Sequence, residues 1–510
     1  MRPPRHSSDL LPPDILTSDS DIPLYRRLYQ EIGQLILNGL LPSHTRLPST
    51  RALSGQLGVS RNTVLGAFEQ LLAEGYVEGK TGSGTYVSPR LPDELLAGHR
   101  KRGSQKMAQP ATSRRISERA KKLLVTLSPG TSRTSSHIFQ PGLPAMDSFP
   151  FPEWSRILGR CCRKLPRTSF GYGDSGGYAS LCESIAEYLG RARGISAGSA
   201  QVIIVSGSQQ ALDLAGRVLI DPDEPAWVEE PGYRGVKAAL FNAGARVIPV
   251  PVDSEGLRVD AGIAKEPAAR LVHVSPSYQY PLGITMSLSR RLSLLDWANQ
   301  SDAWILEDDY DSEFRYGSRP LASLKSLDTQ DRVLYFGTFS KILFPALRIG
   351  YLIVPRRLSD AFRAARTWMD LHPPILEQAA LDEFIRDGHL ARHLRRMRAL
   401  YWRRQEALLH YGERYLKQIL EFHPSPGGMQ LIGWLPEGVD DRDAMEKAAE
   451  AGIETLSLSS HYVAKPRRGG LILGYAAATP VEIKSGVQRL AAALGSLPGA
   501  PVKKSRTSRA

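Results

Sequence analysis

The chain has 510 residues, of which 42% are hydrophobic, and it carries a formal net charge of +13. This length exceeds one ordinary domain, and the hydrophobic content excludes a mainly disordered chain. No apolar run is long enough to cross a bilayer, and no signal-peptide pattern follows Met1. The basic charge fits a polyanionic partner. We therefore expect a cytoplasmic protein of two or three domains that does not bind membranes.

The chain contains three cysteines, Cys161, Cys162 and Cys182. They lack the paired spacing of a zinc site, and their odd number argues against a disulfide framework. We expect no metal site and a reducing compartment.

Residues 22–88 show the pattern of three short helices followed by two strands. Ser49 and Ser60 stand where N-caps would start the second and third helices. Tyr76-Val77 and Thr85-Tyr86-Val87 predict two strands around a glycine-bearing turn. This layout is typical of a winged helix-turn-helix, whose third helix enters the DNA major groove, although it also builds plain interaction modules.

Polar residues at the start of the third helix and in the wing are the candidate DNA contacts. Arginine can bond guanine, asparagine can bond adenine, and threonine can meet a phosphate or a thymine methyl group. Glycines in the wing let the backbone approach the sugar-phosphate chain closely. The predicted contacts are Ser60, Arg61, Asn62, Thr63, Lys80, Gly82 and Gly84.

Nearly all of residues 22–88 resemble the DNA-binding domain of the GntR family. The matching segments are Pro23-Leu24-Tyr25, Leu47-Pro48-Ser49-Thr50-Arg51, Leu57-Gly58-Val59-Ser60-Arg61-Asn62-Thr63-Val64 and Gly82-Ser83-Gly84-Thr85-Tyr86-Val87. The resemblance implies that Arg51, Arg61 and the wing glycines contact operator DNA. The following residues, 89–136, are rich in basic and small residues and predict a basic, flexible linker.

In residues 137–496, short apolar runs alternate with longer helical patterns. The strand candidates are 202–205, 226–228, 271–274, 304–306 and 333–336. This alternation predicts an α/β domain with a largely parallel sheet, following the α+β winged helix-turn-helix.

The run Thr338-Phe339-Ser340-Lys341 is followed by Arg348, seven positions after the lysine. The lysine can form a Schiff base with an aldehyde cofactor, while the two hydroxyl residues and the arginine can hold a phosphate. The turn Gly207-Ser208-Gln209 joins a predicted strand to a helix, where free backbone N–H groups also bind phosphate. Each motif alone is common on protein surfaces, but their joint occurrence predicts a cofactor pocket.

The run Glu307-Asp308-Asp309-Tyr310-Asp311 ends a predicted strand. A buried carboxylate there can pair with a pyridinium nitrogen and keep the ring an electron sink. A nearby tyrosine can donate a hydrogen bond to the phenolate oxygen. Strand alternation alone does not choose between Asp308 and Asp309 as the partner of the nitrogen.

Residues 138–495 resemble fold-type I aminotransferases, which bind pyridoxal 5′-phosphate (PLP). Phe170-Gly171-Tyr172-Gly173-Asp174 and Glu229-Glu230-Pro231-Gly232-Tyr233 belong to the same pattern. The resemblance implies that PLP is held as an aldimine on Lys341, that Asp308 pairs with the pyridinium nitrogen and that Tyr310 faces the phenolate oxygen. It also implies that Tyr233 stacks on the ring, and that the Tyr172 position reaches the phosphate of a second subunit in a homodimer.

Two positions depart from the pattern of working aminotransferases. Tyr280 stands where the turn of the substrate site usually has asparagine, and Ile472 stands where an arginine usually clamps the substrate carboxylate. Arg467 and Arg468 are the alternative cations nearby. Loss of this bidentate contact argues against efficient turnover of ordinary α-amino acids.

A GntR-type winged helix joined to an aminotransferase-like domain is the architecture of the MocR/GabR family. The resemblance implies a PLP-dependent transcriptional regulator that senses PLP or an amine or amino-acid effector. It also implies a head-to-tail homodimer on double-stranded operator DNA. The main alternative is a true aminotransferase that carries a DNA-binding domain. A third possibility is a regulator whose large domain has lost the cofactor and serves only for dimerisation.

Overall fold

The computed structural model describes residues 22–80, 83–89, 138–316, 322–464 and 466–495, with residues 116–117, 120–121 and 124 between them. The chain divides into two compact units, Met1–Arg115 and Ile116–Ala510. Gly82 and most of the predicted linker lie outside the described residues.

Three helices and an antiparallel hairpin make up the described part of the first unit. The elements are α1 (Leu24–Leu37), α2 (Thr50–Leu57), α3 (Arg61–Ala73), β1 (Val77–Lys80) and β2 (Gly84–Val87). Val77 pairs with Val87 at the open end of the hairpin, and Lys80 pairs with Gly84 next to its turn. The predicted winged helix-turn-helix is confirmed.

The core of the first unit consists of apolar side chains at helical spacing. Leu28 and Ile32 of α1, Leu53 of α2, and Phe68 and Leu71 of α3 are all buried. Burying each such side chain stabilises the unit by about 1.5–3 kcal/mol relative to leaving it exposed. Because these residues occupy one face of each helix, the charged residues between them face the solvent.

Two serine caps fix where the second and third helices begin. Ser49 Oγ accepts a hydrogen bond from the N–H of Ala52 at 3.2 Å, and Ser60 Oγ accepts one from the N–H of Thr63 at 3.1 Å. Gly58 turns the chain between the helices with φ +66°, a left-handed conformation that favours glycine. The caps predicted from the sequence are confirmed, and Arg61 is the first residue of α3.

Within the described residues, the second unit contains a mixed eight-stranded sheet and an antiparallel four-stranded sheet. The strands of the larger sheet are β3 (Val202–Val205), β4 (Pro225–Glu230), β5 (Arg246–Asp253), β6 (Gly256–Leu257), β7 (Leu271–Val274), β8 (Trp304–Asp309), β9 (Val333–Thr338) and β10 (Gly350–Ile353). Those of the smaller sheet are β11 (Glu421–Phe422), β12 (Gln430–Trp434), β13 (Leu456–Ser457) and β14 (Gly470–Gly474).

Helices cover both sheets of the second unit. They are α4 (Phe151–Lys164), α5 (Ala179–Arg193), α6 (Ser208–Leu219), α7 (Arg234–Ala243), α8 (Val259–Lys265), α9 (Leu288–Gln300), α10 (Leu324–Leu327), α11 (Phe339–Ile342), α12 (Ser359–Asp370), α13 (Ile375–Arg386), α14 (His389–Tyr415), α15 (Asp441–Glu450) and α16 (Pro480–Leu494). Across the described parts of both units, no helix combines the length and the apolar character needed to span a membrane.

The strands of the larger sheet lie in the order β3-β10-β9-β8-β7-β4-β5-β6. The five strands from β9 to β5 are parallel, as predicted, whereas β10 runs antiparallel between β3 and β9. Gly350 pairs with both Val205 and Thr338. The turn after β3 and the turn after β9 are therefore neighbours at one edge of the sheet.

The larger sheet is buried on both faces, which explains why its strands are nearly continuous apolar runs. All residues of β3 and β7 are buried. The polar residues that interrupt this pattern, His273 in β7 and Glu307, Asp308 and Asp309 in β8, are buried as well. Because burying a charge is costly unless it is paired, these positions point to a specialised site at the ends of β7 and β8.

Candidate functional site

The first turn of α3 presents polar side chains to the solvent. Arg61 and Asn62 are exposed and make no hydrogen bond or ion pair with other described residues. Thr63 is half-buried, and its hydroxyl lies 2.8 Å from Ser60 Oγ. The hydroxyls of Ser60 and Thr63 therefore support the helix start, whereas the arginine and asparagine remain available to a partner.

The wing, which is the hairpin of β1 and β2, adds basic groups to the same unit. Lys80 is exposed, and its Nζ lies 5.2 Å from the centre of the Tyr86 ring. Arg46, which the sequence analysis missed, forms a backbone bridge to Tyr86. A Cβ atom added at Gly84 would lie 3.1 Å from Arg46 Nε, so the guanidinium runs along the wing. The available sequence signal was a basic residue directly before Leu47-Pro48-Ser49-Thr50-Arg51.

Arg51 is exposed in the first turn of α2, as its predicted role requires. The described part of this unit thus presents Arg46, Arg51, Arg61 and Lys80 to the solvent. Four exposed cations on one small unit suit contacts with DNA phosphates and base edges.

In the second unit, Lys341 lies in α11 directly after β9, and its Nζ donates a hydrogen bond to the carbonyl oxygen of Gly142 at 2.8 Å. A Cβ atom at Gly142 would lie 2.5 Å from this Nζ, so a side chain there would collide with the lysine. Burial lowers the pKa of Lys341, while the carboxylates of Asp311 and Asp308 oppose that shift. A lowered pKa favours the neutral, nucleophilic amine.

The turn after β3 forms a cup next to α11, the helix that contains Lys341. Gly207 has φ +96°, and the N–H groups of Ser208 and Gln209 open α6 without a partner among the described residues. Arg348 Nη2 donates a hydrogen bond to the carbonyl oxygen of Ser206 at 2.5 Å. A Cβ atom at Gly207 would lie 3.0 Å from Arg348 Nη2. Free N–H groups at a helix start beside a guanidinium form an anion-binding arrangement.

The remaining candidate groups of this cup differ in availability. Ser340 Oγ is buried and has no hydrogen-bond partner among the described residues. Thr338 Oγ1 accepts a hydrogen bond from the N–H of Ser340 at 3.2 Å and so caps α11. The side chain of Gln209 donates to the carbonyl oxygen of Gly235 at 3.0 Å. Ser340 therefore offers its hydroxyl to an anion, whereas Gln209 offers its backbone.

Asp308 and Asp309 are adjacent in β8 but have different surroundings. Asp309 Oδ2 accepts one hydrogen bond from the Tyr335 hydroxyl at 2.5 Å and forms an ion pair with Arg193 Nη2 at 2.7 Å. Asp308 Oδ1 has no partner, and its Oδ2 lies 3.6 Å from His273 Nε2, too far for a hydrogen bond. Burial raises the pKa of Asp308. Of the two carboxylates, Asp308 is the one with a free oxygen.

Four rings line the wall beside these carboxylates. Tyr280 has its ring centre 5.9 Å from that of Tyr233, 6.0 Å from that of Tyr310 and 5.2 Å from that of His461. The hydroxyl of Tyr310 is buried without a partner in the described part of the chain. Burial raises the pKa of Tyr310 well above its usual value, which keeps this hydroxyl a hydrogen-bond donor.

The three positions considered for clamping a substrate carboxylate differ in their surroundings. Ile472 is buried in β14. Arg468 Nε donates to the carbonyl oxygen of Leu435 at 2.6 Å, and its Nη2 pairs with Glu421 at 2.7 Å. Arg468 is therefore engaged within the smaller sheet, and Arg467 is exposed.

Family models match both units. The model for bacterial regulatory proteins of the gntR family matches residues 24–87, and the model for aminotransferase class I and II matches residues 146–490. The probable rhizopine catabolism regulatory protein MocR of Rhizobium meliloti is 39% identical over 489 residues, which cover 94% of this chain and 95% of that protein. The HTH-type transcriptional regulator TauR of Rhodobacter capsulatus is 35% identical, and the match covers 92% of this chain and 96% of that regulator.

Among solved structures, a kynurenine aminotransferase of Pyrococcus horikoshii in complex with PMP is similar to this chain. It superposes with a TM-score of 0.65 at 30% identity, covering 78% of this chain and 98% of that enzyme. The relatives that match nearly the whole chain are regulators, which favours a regulator over an aminotransferase.

Proposed function

Because the chain belongs to the MocR family of transcription regulators, whose members join a GntR-type DNA-binding domain to an aminotransferase-like domain, we propose that it binds PLP on Lys341. The occupancy of this pocket, by PLP alone or with an amine effector, changes how a homodimer binds operator DNA. The observation that carries the proposal is the set of buried polar atoms without partners around Lys341.

The residues of the pocket fit PLP. Asp308 Oδ1, the Tyr310 hydroxyl and the Ser340 hydroxyl are buried and have no hydrogen-bond partner in the described structure. Such atoms are rare in folded proteins because leaving them unsatisfied is costly. A pyridinium nitrogen, a phenolate oxygen and a phosphate would satisfy these three atoms in turn.

Each residue receives one role in the proposed site. Lys341 is the point of covalent attachment. Asp308 accepts a hydrogen bond from the ring nitrogen, Tyr310 donates one to the phenolate oxygen, and Tyr233 flanks the ring. The phosphate is held by Gly207, Ser208, Gln209, Ser340 and Arg348. Thr338 positions the site by capping α11, which carries the lysine.

When bound, PLP supplies an electrophilic carbon that reacts with primary amines. Lys341 exchanges its proton readily because burial lowers the pKa of its ammonium. Tyr233, Tyr280 and Tyr310 form one aromatic wall of the pocket. Without an arginine clamp at Ile472, the pocket is suited to binding amines rather than to turnover of α-amino acids.

On the DNA side, Arg61 and Asn62 read base edges, while Arg51, Lys80 and the wing backbone contact the sugar-phosphate chain. For the pocket to regulate this binding, its ligand must bind two arrangements of the dimer with different affinities. We propose that this dimer is a head-to-tail homodimer, as in the rest of the family.

The visible absorbance spectrum of the full-length protein tests the cofactor assignment. We expect a yellow band in the protein supplied with PLP, and borohydride should remove it. The Lys341→Ala variant should lack this band, whereas Lys447→Ala, which removes a half-buried lysine of α15 paired with Glu450, should retain it. A protein that stays colourless with added PLP would contradict the assignment.

Operator affinity tests the regulatory part. A DNA fragment selected from a random pool should bind the native protein with an affinity that changes on addition of PLP or of an amine. The same affinity should be insensitive to both in Lys341→Ala. Equal affinities in every state of the native protein would show that the pocket does not control DNA binding.

A further inference from the structure

Helix α14 of the second unit carries a run of arginines that the proposed pocket does not use. The residues from His389 to Gln405 include six arginines and no acidic residue. Like charges three or four positions apart on a helix repel each other, so helix stability alone does not favour this run. Five of the six are exposed, namely Arg392, Arg395, Arg396, Arg398 and Arg403.

None of these five side chains pairs with a carboxylate in the part of the chain that the structure describes. Arg392 Nη2 donates to the carbonyl oxygen of Asp387 at 2.9 Å, and Arg396 Nη2 donates to that of Ser148 at 2.7 Å. The exposed cations of α14 are therefore not neutralised by the protein itself. By contrast, several exposed arginines elsewhere in this unit form ion pairs, among them Arg191 with Glu187, Arg217 with Asp213 and Arg258 with Asp260.

Helix α4 lies next to the first half of α14. Arg160 of α4 pairs at 3.2 Å with Asp387, which stands just before α14. At the other end, Arg396 of α14 reaches Ser148, which stands just before α4. Because the start of each helix is in contact with the far part of the other, the two helices run in opposite directions. Arg160 and Arg396 therefore mark the sides on which α4 and α14 approach each other.

Helix α4 adds further basic groups to this region. Arg156 and Arg163 lie four and three positions from Arg160, so they share one stripe of the helix with it. Both are exposed and have no partner among the described residues. The nearby carboxylates of Glu383 and Asp387 both pair with Arg160 and leave the other cations unpaired. We name the α4–α14 surface after its exposed cations, which are Arg156, Arg163, Arg392, Arg395, Arg396 and Arg403.

The size of the α4–α14 surface indicates an extended partner. The stretch of α14 from Arg392 to Arg403 is about 16 Å long. This length corresponds to about five base pairs of duplex DNA. Guanidinium groups bind phosphate through charge-assisted and often bidentate hydrogen bonds. A row of unpaired arginines of this length therefore suits successive phosphates of a DNA strand better than a single small anion.

We propose that the α4–α14 surface binds the phosphate backbone of double-stranded DNA that flanks the operator. It gives the chain a second DNA contact, which is independent of sequence, in addition to the winged helix. Because both contacts belong to one chain, binding of the first raises the effective concentration of the second. This inference rests on the proposed function, since it takes operator binding by the winged helix as its premise.

Two DNA duplexes test the second contact. The shorter duplex ends at the selected operator, and the longer one carries about 20 base pairs of random sequence on each side of the same operator. Fluorescence anisotropy at several salt concentrations measures the affinity of the full-length protein for each. We expect the native protein to bind the longer duplex about 10- to 100-fold more tightly and with a steeper salt dependence, because additional phosphates are contacted.

A triple variant removes three cations of the surface through Arg392→Ala, Arg395→Ala and Arg396→Ala. It should bind the longer duplex no more tightly than the shorter one, and its salt slope on the longer duplex should fall by about two to three. Lysine at the same three positions keeps the charge and should retain most of the preference for the longer duplex. Loss of that preference in the lysine variant would assign these arginines to holding α14 in place and would overturn the inference.

The matched control removes three exposed charges that are already paired, through Arg191→Ala, Arg217→Ala and Arg258→Ala. It should bind both duplexes as the native protein does. An equal loss in this control would show that only the net charge of the chain matters, and the surface would have no specific role.

Equal affinities of the native protein for the two duplexes would overturn the inference. A triple alanine variant that keeps the native preference and changes only the oligomeric state, measured by sedimentation, would overturn it too, because the surface would then bind a second copy of the chain. If that variant fails to fold, the native comparison and the lysine variant decide. A native protein that binds neither duplex would instead refute the proposed function, so the two failures are distinguishable.

Discussion

The two units place their functional side chains in opposite environments. On the winged helix, Arg61 and Asn62 are exposed neighbours in one helical turn. In the pocket, the groups are buried and come from distant segments, such as Lys341 and the carbonyl of Gly142, which are 199 residues apart. A surface contact therefore needs only a correctly started helix, whereas the pocket needs a complete sheet.

This difference has an energetic consequence. Exposed polar groups contribute little to folding stability, so their substitution should affect binding while the fold is retained. Buried polar groups are costly unless they are paired, so substitutions in the pocket change stability, ligand binding or both.

The largest effect is expected inside β8. Asp309→Asn should lower the free energy of unfolding of the second unit by about 3–5 kcal/mol, because it leaves the buried Arg193 without its charged partner. The measurement is guanidinium unfolding of the PLP-free protein, followed by tryptophan fluorescence.

Asp308→Asn is the matched control for this change. In the native protein, Asp308 Oδ1 has no hydrogen-bond partner among the described residues. We therefore expect this variant to lose less than about 1 kcal/mol of unfolding free energy and to bind PLP more weakly. Equal losses of stability in the two variants would show that the contrast between these neighbouring carboxylates is wrong.

On the winged helix, Arg61→Ala should weaken binding of the selected operator while leaving the visible band intact. Loss of a bidentate contact to guanine corresponds to about 1–3 kcal/mol, or roughly 5- to 150-fold in affinity. Fluorescence anisotropy at several salt concentrations measures it. Arg217→Ala removes an exposed charge from the second unit, where Arg217 pairs with Asp213, and should have no effect. Native affinity and salt dependence in Arg61→Ala would refute the assignment of α3 to the major groove.

A smaller and less specific loss is expected for Arg46→Ala. As a phosphate contact beside the wing, Arg46 should strengthen binding to selected and random DNA alike, and its removal should reduce the salt slope by about one. A loss confined to the selected sequence would instead assign Arg46 to base recognition.

The smallest effect is expected at the cap of α3. Ser60→Ala should destabilise the first unit by about 1 kcal/mol, because the N–H of Thr63 loses its side-chain acceptor. Faster hydrogen exchange of the α3 amides in the full-length protein would report it. Ser60→Asn, which retains a capping oxygen, should restore protection, and no recovery there would argue against a capping role.

Local sequence signals were sufficient for the first unit. The caps at Ser49 and Ser60 lie where the sequence placed them, and Gly58 turns the chain between their helices. In the second unit, β3 and β7 occupy the predicted residues. These elements were predictable because a cap or a short apolar strand depends on residues that are close in sequence.

Features that depend on pairing between distant segments were not predictable. Nothing in residues 350–353 indicates that β10 lies antiparallel between β3 and β9. Alternation placed Asp308 and Asp309 on opposite faces, but only the contacts of Arg193 and Tyr335 distinguish the two faces. His273 was identifiable only as a polar residue within an apolar strand, and Gly142 carried no local signal.

The position of β10 also orders events during synthesis of the chain. The winged helix is complete once residue 87 has left the ribosome, and it can fold from local contacts alone. The pocket cannot form before residue 353 has been synthesised, because β10 lies between β3 and β9. Gly207 follows β3 and Lys341 follows β9, so the two segments become neighbours only when β10 has paired with both strands. A nascent chain therefore completes its DNA-binding unit before it completes the proposed cofactor pocket. Because it joins segments that are distant in sequence, closure of the larger sheet is expected to be slower than folding of the winged helix.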